Sequence, residues 1–232
     1  MKKYLFLLLS FGYSTVINVP EDYSTIQAGI DASVDSDTVL VAQGTYYENL
    51  IIQKNITLTS NAIYDDLSEW VGNFGEWYIN NDNILNTRID GSSDTNGENF
   101  QSTILINSPD DECISPIIFG FTITGGDGTL ATFQDAEGND ITEIRGGGFL
   151  SYNALPTLNY NYIKDNNSPA LDEGGGGDMS NGDQIRDANG FIFGRPRCEG
   201  DVDLSFNFYR DNDALYGNTL STNDFTGSID MT

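Results

Sequence analysis

The chain has 232 residues, 38% of them hydrophobic and 12% aromatic, so it is long enough to bury one sizeable core. Its formal net charge of −25 excludes nucleic acid and anionic membranes as partners, because such a surface repels both. It contains no histidine, which excludes Ser-His-Asp catalysis, Cys-His catalysis and histidine-ligated metals.

The amino terminus predicts export. Residues 1–14 begin with two lysines, continue with the apolar run "YLFLLL" and end in small residues, which is typical of a signal peptide cleaved after Gly12 or Ser14. The apolar run is far shorter than the roughly 20 residues of a membrane span, so we expect no membrane insertion. We expect residues 15–232 to form one domain that is secreted, held on the cell surface or kept in the periplasm.

A short helix is predicted next. Ser24 and Gln27 have the spacing of a capping box, and Ile26 and Ile30 form one apolar stripe, so we predict a helix over residues 25–33.

Closely spaced strands follow the helix. Three β-prone runs lie at residues 38–42, 49–53 and 56–60. The pieces between them, "QGTYYE" and "KN", read as turns and are too short for crossover helices. Strands that advance in one direction with only bends between them indicate a solenoid.

Polar excursions interrupt the predicted strands at about residues 61–100, 125–145 and 183–199. Strand-like runs resume at 87–91, 102–107 and 116–124.

A repeat appears in the second half of the chain. "LNYNYIKDNNSPAL" (158–171) is similar to "LSFNFYRDNDAL" (204–215), so that Leu158 aligns with Leu204 at an offset of 46 residues. The glycine-rich starts align Gly148 with Gly177 at an offset of 29. We interpret the difference as an insertion, residues 183–199, in a coil of 29 residues.

Asparagines share the longer offset: Asn161 pairs with Asn207, and Asn166 with Asn212. Stacked coils would place each pair one above the other, where the amides bond along the stack and satisfy turn backbone. We therefore interpret these residues, and both similar stretches, as scaffold, with Leu158 facing the core.

The region 19–60 resembles the amino-terminal signature of pectin-lyase-like proteins, in the motifs Val19-Pro20, Asp22-Tyr23, Thr25-Ile26-Gln27, Asp37-Thr38-Val39, Gly44-Thr45-Tyr46 and Glu48-Asn49. "GFTITGG" (120–126) is similar to later coils of secreted bacterial members. The resemblance implies an all-β, right-handed single-stranded parallel β-helix of about four coils with a short amino-terminal capping helix and long excursions. The end, "TGSIDMT", lacks an obvious cap, so truncation of a longer β-helix at the carboxyl end stays an alternative.

This resemblance implies function poorly, because the superfamily includes esterases, lyases, glycosidases, epimerases and non-catalytic surface proteins. "NGFIFGRP" (189–196) resembles two pectin methylesterase motifs, but Gly190 stands at the position of the aspartate nucleophile. Without that carboxylate nothing attacks the ester, and we interpret the likeness as coincidence.

Two sets of charged residues are candidate sites. The inserted loop clusters Arg186, Arg195 and Arg197, which would clamp a carbohydrate carboxylate or serve as a base; ion pairing with nearby acids is the simpler interpretation. Hard oxygen ligands for Ca²⁺ would come from Asp172, Glu173, Asp178, Asp201 and Asp203, although solvated turns explain these residues more simply.

The first excursion carries the best candidate for a binding site. Its aromatic residues would stack on sugar rings: Tyr64, Trp70, Phe74, Trp77 and Tyr78. Alternatively, the loop anchors itself to the wall by burying Trp70 and Trp77. The two cysteines, Cys113 and Cys198, would form one disulfide in an exported chain if they come close enough.

These observations favour a secreted or cell-surface module that is not catalytic and binds extracellular polysaccharide. The alternative is a calcium-dependent polysaccharide lyase or a pectinesterase-like enzyme that uses the arginine-bearing loop.

Overall fold

A computed structural model describes residues 14–93, 100–109, 112–134, 140–180, 184–186, 192–194, 198, 200–222 and 227–232. Within them the chain is mostly β, with three parallel sheets. All of the predicted signal segment except Ser14 lies outside the described residues, as does most of the inserted loop. No helix in the described part is long and apolar enough to cross a membrane.

The three parallel sheets share one pattern of strands. Sheet 1 contains Val16–Val19, Thr38–Val41, Thr57–Ser60, Ile117–Phe119, Thr157–Asn159, Val202–Asp203 and Ile229–Asp230. Sheet 2 contains Gly44–Tyr47, Thr87–Asp90, Thr122–Thr124, Tyr162–Lys164 and Phe208–Arg210. Sheet 3 contains Leu50–Ile52, Ile104–Asn107, Phe149–Tyr152, Gly177–Ser180 and Ser221–Thr222. From residue 38 the chain visits sheets 1, 2 and 3 in turn, five times over, where the sequence predicted about four coils.

One further five-stranded sheet and two hairpins lie beside these sheets. Sheet 4 is mixed and contains Phe100–Gln101, Gly128–Gln134, Asp140–Arg145, Asn167–Glu173 and Asp213–Tyr216. Two antiparallel hairpins pair Val71–Asn73 with Trp77–Ile79 and Gln184–Arg186 with Ile192–Gly194. Each predicted excursion therefore contains β structure of its own. The strand-like run predicted at 87–91 is confirmed as Thr87–Asp90 of sheet 2, so the first excursion ends before this strand and not at about residue 100.

The main core lies between the three parallel sheets. Equivalent residues stack in register: Val39 lies beside Leu58, then Ile118, then Leu158 in sheet 1, all fully buried. Residues of all three sheets belong to one apolar cluster. Stacking buries each apolar side chain against its equivalents on the neighbouring strands, which is how a repeated sequence forms a continuous core.

Helix α1 (Ile26–Ala32) covers one end of this core and buries Ile26 and Ile30. The predicted cap is wrong by one residue, because Thr25 has the extended backbone of an N-cap and accepts a hydrogen bond from the Ala28 N–H. The Glu48 carboxylate accepts from the N–H groups of Ile26 and Gln27, both at 2.9 Å. An acceptor 22 residues away in the sequence thus completes the cap.

The strand Gly44–Tyr47 corrects the prediction of a turn at "QGTYYE". Its residues alternate in exposure and pair in register with Thr87–Asp90. The predicted run 116–124 is two strands rather than one, because the chain bends at Gly120, whose φ of +80° favours glycine.

The predicted repeat offset of 46 residues is confirmed, and the shorter predicted offset is wrong by one residue. Tyr162 pairs with Phe208 and Asn167 with Asp213, an offset of 46 residues in both cases, and Leu158 is fully buried as predicted. The shorter offset is 28 rather than 29, because Phe149 pairs with Gly177. A Cβ at Gly177 would fall 2.1 Å from the Phe149 ring, so only glycine leaves room for that ring.

The predicted asparagine ladders are confirmed. The Asn161 amide accepts from the Phe121 N–H and donates to the Ile118 carbonyl, and its own N–H donates to Asn207 Oδ1 at 2.9 Å. The Asn166 N–H donates to Asn212 Oδ1 in the same way, at 3.1 Å. Buried turn backbone is thereby satisfied from one strand layer to the next.

The two cysteines form a disulfide in the structure, with their Cα atoms 5.5 Å apart across 85 residues of sequence. Cys198 follows the second hairpin and is buried, and its N–H donates to the Asn153 side chain. The bond ties the base of the inserted loop to the segment between sheets 3 and 1 of an earlier turn.

Candidate functional site

The segment 61–86, hereafter the first excursion, is fastened to the outside of sheets 1 and 2. It contains a 3-10 helix (Asn61–Tyr64), the hairpin Val71–Ile79 and helix α2 (Asp82–Asn86). A second apolar cluster, apart from the main core, holds it in place through Ala62, Trp70, Ile84 and Tyr162. The Thr122 hydroxyl adds a bond to the Ile84 carbonyl at 2.9 Å.

Trp70 is the anchor of this excursion. Only 8% of it is exposed, and its ring packs against Tyr160 in a T-shaped arrangement at a centroid distance of 5.7 Å. Tyr160 in turn stacks on Phe206 at 5.0 Å. The anchoring interpretation therefore holds for Trp70, whose ring is unavailable to a ligand.

The hairpin displays the other aromatic rings. Phe74 is 91% exposed, Trp77 56% and Tyr78 38%. Phe74 and Tyr78 share one face and stack at 6.1 Å with 22° between their planes. A Cβ at Gly72 would lie 2.3 Å from the Tyr78 ring, so glycine allows that ring to lie flat on the hairpin.

Trp77 lies on the face of the hairpin opposite to Phe74 and Tyr78. Val71 and Ile79 pack against the second cluster, and Trp77 lies closer to the hairpin turn than they do. Anchoring by Trp77 is therefore not what the structure shows, because more than half of it is exposed. Tyr64 is also exposed, on the 3-10 helix. Exposure of so many large rings in one segment is not explained by folding and is typical of a binding surface.

A residue of sheet 2 contacts the backbone of the hairpin. Arg210 Nη1 donates to the Trp77 carbonyl at 3.4 Å, and Arg210 Nε pairs with Asp211 at 3.2 Å. Tyr162 and Asp211 raise the pKa of Arg210, because both favour its charged form. Lys164 Nζ lies 5.5 Å from the centre of the Tyr162 ring.

A polar groove of about 500 Å³ opens where the hairpin returns to α2. It is lined by Asp65, Asp66 and residues 79–83. Asp65 Oδ2 accepts from the amides of Asn81 and Asn83, both at 2.8 Å. The Ser68 N–H donates to Asp66 and lowers its pKa.

The groove was missed as a site in the sequence. Its two halves lie on either side of the hairpin, and only the antiparallel return of that hairpin brings them together. The sequence feature that could have pointed to the groove is "NNDN" (80–83), but this composition by itself is typical of a turn.

The arginine candidates fall largely beyond what the structure describes. Arg195 and Arg197 lie outside the described residues, as does the side chain of Arg186. One buried arginine was not singled out in the sequence: Arg145 pairs with Glu143 at 2.9 Å and lies 3.8 Å from Asp178. It connects the end of the second excursion to sheet 3.

The calcium candidates do not converge where they are described. Asp178 is fully buried beside Arg145, whereas Asp201 and Asp203 accept bonds from Ser228 and Ser205 in turns. The side chains of Asp172 and Glu173 lie outside the described part. In the described ranges no group of three or more acidic or cysteine side chains is placed to hold a metal ion.

A comparison with protein-family models gives no match for this chain, and neither does a comparison with curated proteins.

Proposed function

We propose that this chain is a secreted right-handed parallel β-helix whose first excursion binds extracellular carbohydrate without catalysing a reaction. The fold proposal is supported by the in-register parallel strands and by the repeated order of sheets 1, 2 and 3. Export is supported by the signal-like residues 1–14, and a disulfide suits an oxidising compartment.

The exposed aromatic hairpin carries the binding proposal. Phe74 and Tyr78 present apolar rings to solvent on one face of the hairpin and Trp77 does so on the other, while the buried Trp70 fixes the segment that bears them. The apolar faces of sugar rings stack on such surfaces, and amide and carboxylate groups in a neighbouring groove can bond their hydroxyls. A ring already held in place loses little conformational entropy on binding.

A polysaccharide panel tests this proposal with the mature chain, residues 15–232. We expect binding by wild type and a loss of affinity of at least about tenfold in Trp77→Ala for a ligand on that face of the hairpin, or in Phe74→Ala for a ligand on the other face. Trp70 is a poor choice for this test because its truncation would disturb the whole excursion.

Tyr47→Ala is the matched control, since Tyr47 is 59% exposed on sheet 2 but lies outside the first excursion. Its affinity should equal that of wild type. Equal losses in Tyr47→Ala and Trp77→Ala would contradict the assignment of the site. Release of oligosaccharides from any polymer would contradict the non-catalytic part.

A further inference from the structure

The first excursion is acidic throughout. Residues 61–86 contain five carboxylates and no lysine or arginine. All five side chains are exposed: Asp65, Asp66, Glu69, Glu76 and Asp82. A ligand that reaches the hairpin and the groove therefore meets negative charge along the entire segment.

The neighbouring cations do not reverse this charge. Three described cations lie on the outer face of sheet 2, and each has its own carboxylate. Arg88 pairs with Asp90 at 3.2 Å, Lys164 with Asp165 at 2.6 Å and Arg210 with Asp211 at 3.2 Å. Exposed pairs of this kind leave little net positive potential to attract an anion.

The acids of the groove also do not form a cation site. Asp65 Oδ2 accepts from two asparagine amides and Asp66 Oδ1 accepts from the Ser68 N–H, and among the described residues no three acidic side chains are grouped to hold a metal ion. The groove is lined by three carboxylates and three asparagine amides, so it contains both acceptors and donors, and a hydroxyl group can pair with either.

From this charge pattern we propose that the ligand is a polysaccharide without acidic groups, which stacks on the aromatic hairpin and bonds the groove through its hydroxyls. This inference rests on the proposed function and names its substrate class. A uronic acid polymer is excluded because each close approach of its carboxylate to one of these acids would lower affinity about fivefold at low salt.

Binding at two salt concentrations tests the inference. The probes are xyloglucan and laminarin as neutral polymers, polygalacturonate and alginate as anionic polymers, and chitosan as a cationic polymer. For wild type we expect the neutral Kd to change less than about twofold between about 50 mM and about 500 mM NaCl, because screening acts on charges alone. Binding of either uronate polymer should be undetectable at the lower salt.

Two charge-reversal variants test whether the carboxylates of the first excursion are what prevents uronate polymers from binding. Glu76→Lys, on the hairpin, should make polygalacturonate binding measurable at low salt and lose it at high salt. Glu21→Lys makes the same change in net charge at an exposed position outside the excursion and should leave polygalacturonate unbound. An equal gain in both variants would mean that overall charge, and not the excursion, excludes uronates.

The outcomes separate the two proposals. Tighter binding of a uronate polymer than of any neutral polymer, with loss in Trp77→Ala or Phe74→Ala, would overturn the exclusion of acidic polysaccharides and leave carbohydrate binding intact. Binding of a neutral polymer or of chitosan, with the same loss, supports it. Absence of binding to every polymer would overturn both.

Discussion

Asparagines at the repeated positions of the stacked strands differ in burial and bonding from the asparagines of the first excursion. Asn161 and Asn166 are almost fully buried, and both their amide atoms and their backbone N–H groups have partners on neighbouring strand layers. Asn80, Asn81 and Asn83 line a groove that is open to solvent. Residues that recur at equivalent positions hold the layers together, whereas the unrepeated set bonds mainly within the first excursion, at a surface that solvent reaches.

The largest effect should come from breaking a ladder. Asn166→Ala removes the acceptor of the Gly126 N–H and the donor to the Ile123 carbonyl, at a residue that is 1% exposed. Buried polar groups left without partners are costly, so we expect the free energy of unfolding to fall by about 3 kcal/mol. Chemical denaturation of residues 15–232 measures it.

Asn80→Ala is the matched control from the excursion. Its side chain donates one exposed bond, to the Glu69 carbonyl at 3.2 Å, and its removal should cost less than about 0.5 kcal/mol. Comparable losses in the two variants would show that the ladders contribute no more than a surface amide.

A smaller and more local effect is expected at the anchor of the excursion. Trp70→Ala should lower the free energy of unfolding by about 2 kcal/mol, less than for a ring in a main core, because the second cluster is small and can detach alone. Amide exchange should accelerate within residues 61–86 while the amides of sheets 1 and 3 keep their protection.

Two outcomes would contradict this picture of a separately anchored excursion. Uniform loss of protection in all the sheets would place Trp70 in the main cooperative unit. Unchanged exchange within residues 61–86 would show that another contact holds the excursion.

The ladders were predictable because parallel, in-register pairing places residues of equal offset one above the other, so that Asn161 and Asn207 had to meet. The strand Gly44–Tyr47 was not, because its alternating exposed residues resemble a turn when the partner strand, 43 residues later, is unknown. The groove depends on a tertiary return of the chain, which no local pattern contains. Residue types predicted the aromatic surface, but only packing separates the buried Trp70 from the exposed Trp77.

The smallest expected effect is the pH response of one scaffold carboxylate. Asp37 accepts bonds from the Val34 N–H and from the N–H and hydroxyl of Thr15, each at 2.8 Å, and these bonds lower its pKa below the ordinary 3.8. A lowered folded-state pKa contributes stability above the ordinary value, and that contribution is lost as the pH falls through the lowered one. Asp37→Asn should therefore lower Tm at about pH 7, and its difference from wild type should shrink below about pH 4. A difference at Asp37 that grew in acid would mean that these bonds do not favour the ionised carboxylate.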